Sequence, residues 1–85
     1  NNHVVAYPNP ARDNVSLIGL PSSSSEWTVT IQDITGKEVF NRSMAAQNRT
    51  LQVDVSDFQN GVYILNAVNP DQPSFKGKTK LIVRH

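Results

Sequence analysis

A chain of 85 residues is long enough for one domain, and it is close to the lower size limit for folding without covalent or metal support. It contains no cysteine, which excludes disulfides and thiolate metal sites, so stability has to come from packing. The net charge of +1 argues against general nucleic-acid binding, and no apolar run is long enough to span a membrane. Charged residues make up only 18 %, and the abundance of Ser, Thr, Asn and Val favours strands and turns over helices.

Short apolar or alternating runs, separated by turn signals, predict seven strands. The first ends at Pro8, and Pro-Asn-Pro (8–10) predicts a rigid elbow that suits a sheet edge, because two backbone donors are missing. A later loop of one proline and four serines (21–25) is expected to be solvated and mobile. The predicted strands are 3–7, 15–20, 26–33, 38–42, 51–55, 62–68 and 78–84.

The third strand has the clearest alternation of apolar and polar residues and begins near Trp27. Trp27 is the largest apolar side chain available to this small core, so we expect it to be buried. Residues 34–37 predict a hairpin turn in which Gly36 takes the left-handed conformation. The stretch 43–48 is too short for a stable helix and is predicted to be a loop or a loose start to the next strand.

The fifth and sixth strands are the pair around which the prediction is organised. Residues 51–55 alternate, as in a strand with one wet face, whereas 62–68 is apolar at nearly every position, which is typical of a central strand covered on both faces. In the corner between them we expect Asp57 to cap backbone amides and Gly61 to take a positive φ. Phe75, in the polar crossover that follows, is expected to pack back onto the sheets.

The terminal strand is basic and amphipathic. Four of the eight Lys and Arg residues fall in the last ten positions, with no acidic residue among them. The strand alternates between an apolar face and a basic one: Thr79, Leu81 and Val83 against Lys80, Ile82 and Arg84. A terminal strand is expected at a sheet edge, where lysines either block unwanted pairing or form a handle for a receptor that adds a strand. The residues alone do not decide between these two interpretations.

Seven strands and no convincing helix predict an all-β fold. We expect a seven-stranded antiparallel β-sandwich with immunoglobulin-like, Greek-key connections. A closed barrel is the alternative.

Catalytic and metal sites have little support in the residues. His3 and His85 are terminal, where a general base is not held in place, and the serines have neither a nearby histidine nor a nucleophile-elbow sequence. Asp54, Asp57 and Asp71 lack the alternating spacing of a calcium loop. We therefore predict no enzymatic activity, no metal and no cofactor.

Four aromatic residues suggest an alternative function. Tyr7, Trp27, Tyr63 and Phe75 would form a carbohydrate platform if they were exposed in a row. Because Trp27 and Tyr63 lie in alternating strands, packing in the core is the commoner outcome. A fibronectin-like or carbohydrate-binding module of an extracellular enzyme is kept as the alternative function.

Four motifs, in order along nearly the whole chain, resemble those of a known family. They are Tyr7-Pro8-Asn9-Pro10 with the strand that follows, the hairpin 29–39 with Gly36, the corner 55–65 with Gly61 and Tyr63, and the terminal strand Lys78 to Arg84. Together they are similar to the type A C-terminal sorting domains of the type IX (Por) secretion system of Bacteroidetes. His85 extends one residue beyond the basic residue that usually ends the pattern.

The resemblance implies a secretion signal rather than an enzyme. Residues 1–85 would then be a single C-terminal sorting domain, the last module of a longer secreted protein. The expected route is transit of the periplasm, binding to the outer-membrane translocon and, commonly, removal by a surface sortase that joins the cargo to anionic lipopolysaccharide.

The partners that the resemblance implies are translocon and sortase proteins, with no nucleic acid and no transmembrane segment. The cargo would finish at the outer membrane and cell surface or as a secreted protein. Candidate recognition residues lie in the terminal strand: Lys78, Lys80, Leu81, Ile82, Val83 and Arg84.

Overall fold

The computed structural model describes residues 4–75 and 77–85, and all the secondary-structure elements in this part of the chain are strands. Strands β1 to β7 are Val5–Tyr7, Asn14–Ile18, Trp27–Asp33, Glu38–Met44, Thr50–Asp54, Gly61–Val68 and Gly77–Val83. Each strand end lies within two residues of its predicted position. His3, the predicted start of β1, lies outside the described residues. The stretch 43–48 was predicted to be a loop or a loose start to the next strand, and its first two residues instead continue β4 to Met44.

The strands form two antiparallel sheets packed as a sandwich. One sheet has the order β1-β2-β5 and the other the order β4-β3-β6-β7. Because β2 pairs with β5 and β3 pairs with β6, consecutive strands repeatedly cross from one sheet to the other, which is a Greek-key, immunoglobulin-like arrangement. The predicted fold class is confirmed, and the closed-barrel alternative is wrong because the sheets do not join.

The core is built from the alternating apolar residues of both sheets. Trp27 is 0 % exposed, and the ring of Phe75 packs edge-on against it at 5.6 Å between centroids, as expected for both residues. The other fully buried large side chains come from strands or lie beside them: Val15, Leu17, Leu20, Val29, Ile31, Leu51, Val53, Val55, Leu65, Leu81 and Val83. Each such side chain contributes about 1.5–3 kcal/mol when it is removed from water.

Strand β6 lies between β3 and β7, so its predicted central position is confirmed. The prediction that both of its faces are covered is wrong. Tyr63, Leu65 and Ala67 point into the core, whereas Val62 and Val68 are exposed. A sandwich has only two layers, so even a central strand keeps one face toward solvent.

Two glycines that were predicted to take positive φ behave differently. Gly36 has φ 89° in the β3–β4 hairpin, as predicted. Gly61 does not have a positive φ: it is the first residue of β6 and pairs with Val83. The chain has completed its reversal before it reaches Gly61, so the corner does not need a left-handed residue there. Positive φ is instead found at Asn48 and Arg49, in the tight turn that leads into β5.

The serine-rich loop makes hydrogen bonds that the sequence did not predict. Asn69, which is buried, donates its Nδ2 hydrogen to the carbonyl of Ser25 (3.2 Å). The hydroxyl of Ser23 donates to the carboxylate of Asp71 at 3.1 Å. The sequence prediction considered the serines without the polar residues of the β6–β7 crossover, which is where their partners lie.

Candidate functional site

The Pro-Asn-Pro elbow lies along the outer edge of β7. The Asn9 side chain donates from Nδ2 to the carbonyl of Lys80 (3.0 Å) and accepts at Oδ1 from the amide of Ile82 (2.9 Å). A single side-chain amide thus makes the two bonds that a neighbouring strand would make with its backbone. Ala11 then donates to the carbonyl of Ile82 (2.7 Å) and accepts from the amide of Arg84 (2.8 Å). The first and last motifs therefore form one hydrogen-bonded unit.

Because the elbow is bonded to β7, the strand is not the open sheet edge that the sequence predicted. The strand is terminal in its sheet, as predicted, but its edge from Lys80 to Arg84 is already bonded to the elbow. Pro8 and Pro10 flank Asn9 and have no backbone donor, so the elbow itself is a poor template for a further strand. A receptor strand could pair with this part of β7 only by displacing the elbow.

The predicted recognition residues of β7 fall on two different faces. Leu81 and Val83 are 0 % and 1 % exposed and belong to the core, so a partner that binds the folded domain cannot contact their side chains. The outward-facing members form a basic row with one apolar residue: Lys78, Lys80, Ile82 and Arg84. The amphipathic pattern predicted for the strand is confirmed.

The C-terminal residue is bound to the β5–β6 corner. The backbone amide of His85 donates to Oδ1 of Asn60 (2.8 Å), and its Nε2 donates to the carbonyl of Phe58 (2.6 Å). The expectation that His85, as a terminal residue, is not held in place is therefore wrong. In the same corner the hydroxyl of Tyr63 donates to the carbonyl of Gln59 at 2.6 Å, as in the tyrosine corner of immunoglobulin-like sandwiches.

Two aspartates cap the turns that follow their strands. Oδ1 of Asp54 accepts from the hydroxyl (2.6 Å) and amide (2.9 Å) of Ser56, so Asp54 caps the corner and the role predicted for Asp57 is wrong. In the hairpin, Oδ1 of Asp33 accepts from the hydroxyl (2.6 Å) and amide (2.9 Å) of Thr35. These bonds favour the ionised carboxylates, and the pKa of each is lowered, mainly by the hydroxyl bond from Thr35 or Ser56.

All four motifs reach the same end of the sandwich. The carbonyl of Asp13 accepts from the amide of Val55 at 2.8 Å, which joins the residues after the elbow to the corner. At the same end, Asp33 is in register with Tyr63 across β3 and β6. We define the motif end by the segments that gather there: the elbow and its continuation (8–13), the hairpin (33–37), the corner (55–60) and the terminal residues (84–85).

The aromatic residues do not form a carbohydrate platform. Trp27, Tyr63 and Phe75 are buried in the core, whereas Tyr7 is 66 % exposed on the outer face of the three-stranded sheet. Core packing was the expected outcome for Trp27 and Tyr63, and it follows from the inward-facing positions that alternation gives them.

The three aspartates considered for calcium do not gather at one place in the fold. Asp54 and Asp57 lie at or beside the motif end, whereas Asp71 binds the serine loop at the other end of the sandwich. Within residues 4–75 and 77–85, no three His, Cys, Asp or Glu residues are grouped so that they could hold a metal ion. The same residues include no helix of sufficient length and apolarity to cross a membrane.

Two residues of the site escaped the sequence prediction. Ala11 makes two backbone bonds to β7 and is 0 % exposed, yet a single alanine after a proline carries no local signal of such a role. Asn60 was interpreted only as a turn former, and its bond to the amide of His85 links residues 25 positions apart.

The fold and the site define an all-β module whose distinctive surface joins its first and last motifs. Residues 5–84 match the sequence profile of the secretion system C-terminal sorting domain family, so the chain belongs to this family of type IX (Por) sorting signals. This family is not a family of enzymes. Membership of a family of sorting domains implies contact with the type IX machinery and a secreted or cell-surface cargo. No curated protein is significantly similar to the chain.

Proposed function

We propose that this domain directs an attached cargo through the type IX outer-membrane translocon, and that the translocon binds the folded motif end with the adjoining face of β7. Family membership supports a C-terminal sorting signal. The observation that carries the proposal is the gathering of all four motifs at one end, where the elbow is bonded to β7 through Asn9 and Ala11. A surface assembled from four separated segments exists only in the folded domain.

The basic row of β7 supplies the charged part of this surface. Lys78, Lys80 and Arg84 point outward, and Lys78 and Lys80 are about 7 Å apart because alternate residues of a strand are separated by two rises. Ile82 lies in the same row and is half-buried beside its register partner Val62. Such a row suits an acidic protein surface with a small apolar contact. Leu81 and Val83 contribute by holding the strand in the core.

The path of the chain separates this surface from the attached cargo. Val5 is in register with Ile18, which is in register with Thr50, so β1 begins at the end of the sandwich opposite the corner. A cargo that precedes β1 would leave from that opposite end. Binding at the motif end would then leave the connection open to a surface sortase, which would cut before β1 and join the cargo to anionic lipopolysaccharide after transit of the periplasm.

The test is a secreted reporter fused to residues 1–85 in a strain with a working type IX system. The variant Lys78→Gln with Lys80→Gln and Arg84→Gln removes the three outward charges but keeps strand length and the apolar faces. Exposed charges contribute little to stability, so the variant is expected to fold. We expect the reporter to accumulate in the periplasm, whereas the unchanged domain delivers it to the surface.

A matched control lowers the net charge by three outside the motif end and β7. In Arg42→Glu with Gln47→Glu, two exposed positions, the net charge falls equally, and delivery should continue. Delivery of the reporter by the folded β7 variant would contradict the proposed basic contact. Equal retention of both variants would show that total charge, rather than the β7 row, decides export.

A further inference from the structure

The two sides of the sandwich differ in how their sheet edges are protected. On one side β7 is covered by the elbow, whereas on the other side β4 and β5 are the edge strands of their sheets. Within residues 4–75 and 77–85, the backbone of Glu38–Met44 bonds only to β3. Strand β4 is seven residues long and has no proline, so it offers the longer unprotected edge.

A groove of about 450 Å³, lined by both apolar and polar side chains, runs between β4 and β5. Phe40 and Met44 are in register with Ile31 and Trp27, so they project from the inner face of the sheet. Unlike those two core residues, Phe40 and Met44 stay half-buried, because β5 does not extend over them. Phe58 forms one end of the groove, with its ring 6.5 Å from that of Phe40.

The charges around the groove are unevenly placed. Asp54 and Asp57 line it at the motif end, and Asp54 is held in its ionised form by the bonds from Ser56. Arg42 projects into the groove between Phe40 and Met44, in register with Val29, and its guanidinium lies 5.4 Å from the centroid of the Phe40 ring. The groove therefore has a basic middle and an acidic end, and a ligand cation is attracted to the acidic end.

We propose that the groove binds an extended, basic and apolar segment of a partner protein, which adds to the sheet as a strand beside β4. Its backbone pairs with β4, its apolar side chains lie over Phe40 and Met44, and a Lys or Arg faces Asp54 and Asp57. Strand addition supplies affinity through main-chain bonds, while the groove and the carboxylates supply specificity. This site is on the opposite side of the sandwich from β7, and it shares its acidic end, at Asp57 and Phe58, with the motif end that is proposed to contact the translocon.

The test is a titration of the ¹⁵N-labelled domain, followed by NMR, with a synthetic seven-residue peptide, the Val-Lys peptide, that has Val at its first, third and fifth positions, Lys at its seventh and Thr between them. Because alternate residues of a strand share a face, the Val and Lys side chains of this peptide all turn toward the groove. We expect saturable shifts in residues 38–44 and 54–58. A peptide with Glu in place of Lys should bind at least tenfold more weakly. A peptide N-methylated at alternate residues, on its pairing edge, should lose binding because it keeps the side chains but cannot pair with β4.

Two matched variants test the acidic end of the groove. Asp57→Lys reverses a charge whose side chain caps no turn, and it should weaken binding of the Val-Lys peptide roughly fivefold. Glu26→Lys makes the same charge change outside the groove and should leave the affinity unchanged.

Four results would overturn the proposal: no saturable shift, shifts centred on Gly77–Val83, undiminished binding of the N-methylated peptide, or equal affinity of the two variants. Concentration-dependent shifts in residues 38–44 without any peptide would instead assign the groove to a second copy of the domain.

Discussion

The Asn9 side chain makes two hydrogen bonds to β7, which we call the clasp. Removing this side chain should cause a measurable loss of stability. Asn9→Ala deletes the bonds to the carbonyl of Lys80 and the amide of Ile82. A hydrogen bond contributes a net 0.5–1.5 kcal/mol, and both of these are exposed to water, so we expect a loss of about 1–2 kcal/mol. For a domain of this size that corresponds to a fall in Tm of roughly 4–16 °C, which thermal unfolding would measure, while urea unfolding would give the free energy.

The position of the loss is as informative as its size. The amide of Ile82 is hydrogen-bonded to the side chain of Asn9, whereas the amide of Arg84 is hydrogen-bonded to the backbone carbonyl of Ala11. Hydrogen exchange should therefore accelerate at Ile82 more than at Arg84. The control Asn41→Ala removes an exposed asparagine that contacts only the side chain of Glu38, and it should change stability by less than about 0.5 kcal/mol.

A second substitution separates the two bonds of the clasp. Asn9→Asp keeps the acceptor for Ile82 but replaces the donor with an oxygen that faces the carbonyl of Lys80. We expect protection of the Ile82 amide to persist while stability falls. An Asn9→Ala domain that matched the unchanged domain in both unfolding free energy and Ile82 exchange would refute the reasoning.

Three further predictions concern the turns. Gly61→Val should change stability by no more than about 0.5 kcal/mol, because Gly61 has no positive φ and an added Cβ meets only Tyr63, at 3.8 Å; equilibrium urea unfolding would test this. Tyr63→Phe removes the bond to the carbonyl of Gln59 and should lower the unfolding free energy by about 1 kcal/mol in the same assay, whereas no change would contradict a tyrosine corner. The pKa of Asp33 is lowered by the hydrogen bond from the hydroxyl of Thr35. The ionised carboxylate therefore stabilises the domain fully above about pH 4, and this stabilisation is lost as pH falls through the folded-state pKa. Asp33→Asn should reduce the acid dependence of stability, measured by urea unfolding between about pH 7 and pH 2.

The strands could be predicted from the sequence because the residues that determine each strand and its turns are close together in the chain. Alternation with period two marks the two faces of a strand; it correctly predicted the burial of Trp27, and it put Leu81 and Val83 on the face of β7 that proves to be buried. Turn residues marked the ends, and the left-handed Gly36 follows from the short hairpin. The prediction for β6 failed because a run of apolar residues does not reveal how many layers the domain has.

The clasp and the corner could not be predicted because their partners are distant in sequence. Asn9 bonds to residues more than 70 positions away, and no local pattern shows which strand the elbow will meet. Asn60-Gly61 looked like a turn that needs positive φ, but the cap at Asp54 and the bond from His85 organise the corner without it. The recognition residues proposed for β7 stay a prediction, although the structure restricts direct contact to the outward row.

The elbow and the basic row can be separated experimentally, because different contacts hold them. The outward direction of Lys78 and Lys80 is set by the pairing of β7 with β6 along seven register positions, none of which involves Asn9. Asn9→Ala should therefore leave the charges in place while it uncovers part of the β7 edge. Because the elbow belongs to the motif end that the translocon is proposed to bind, the folded variant, at a temperature well below its Tm, should deliver less of a fused reporter to the cell surface than the unchanged domain does. Delivery equal to that of the unchanged domain would show that the translocon binds the basic row without the elbow.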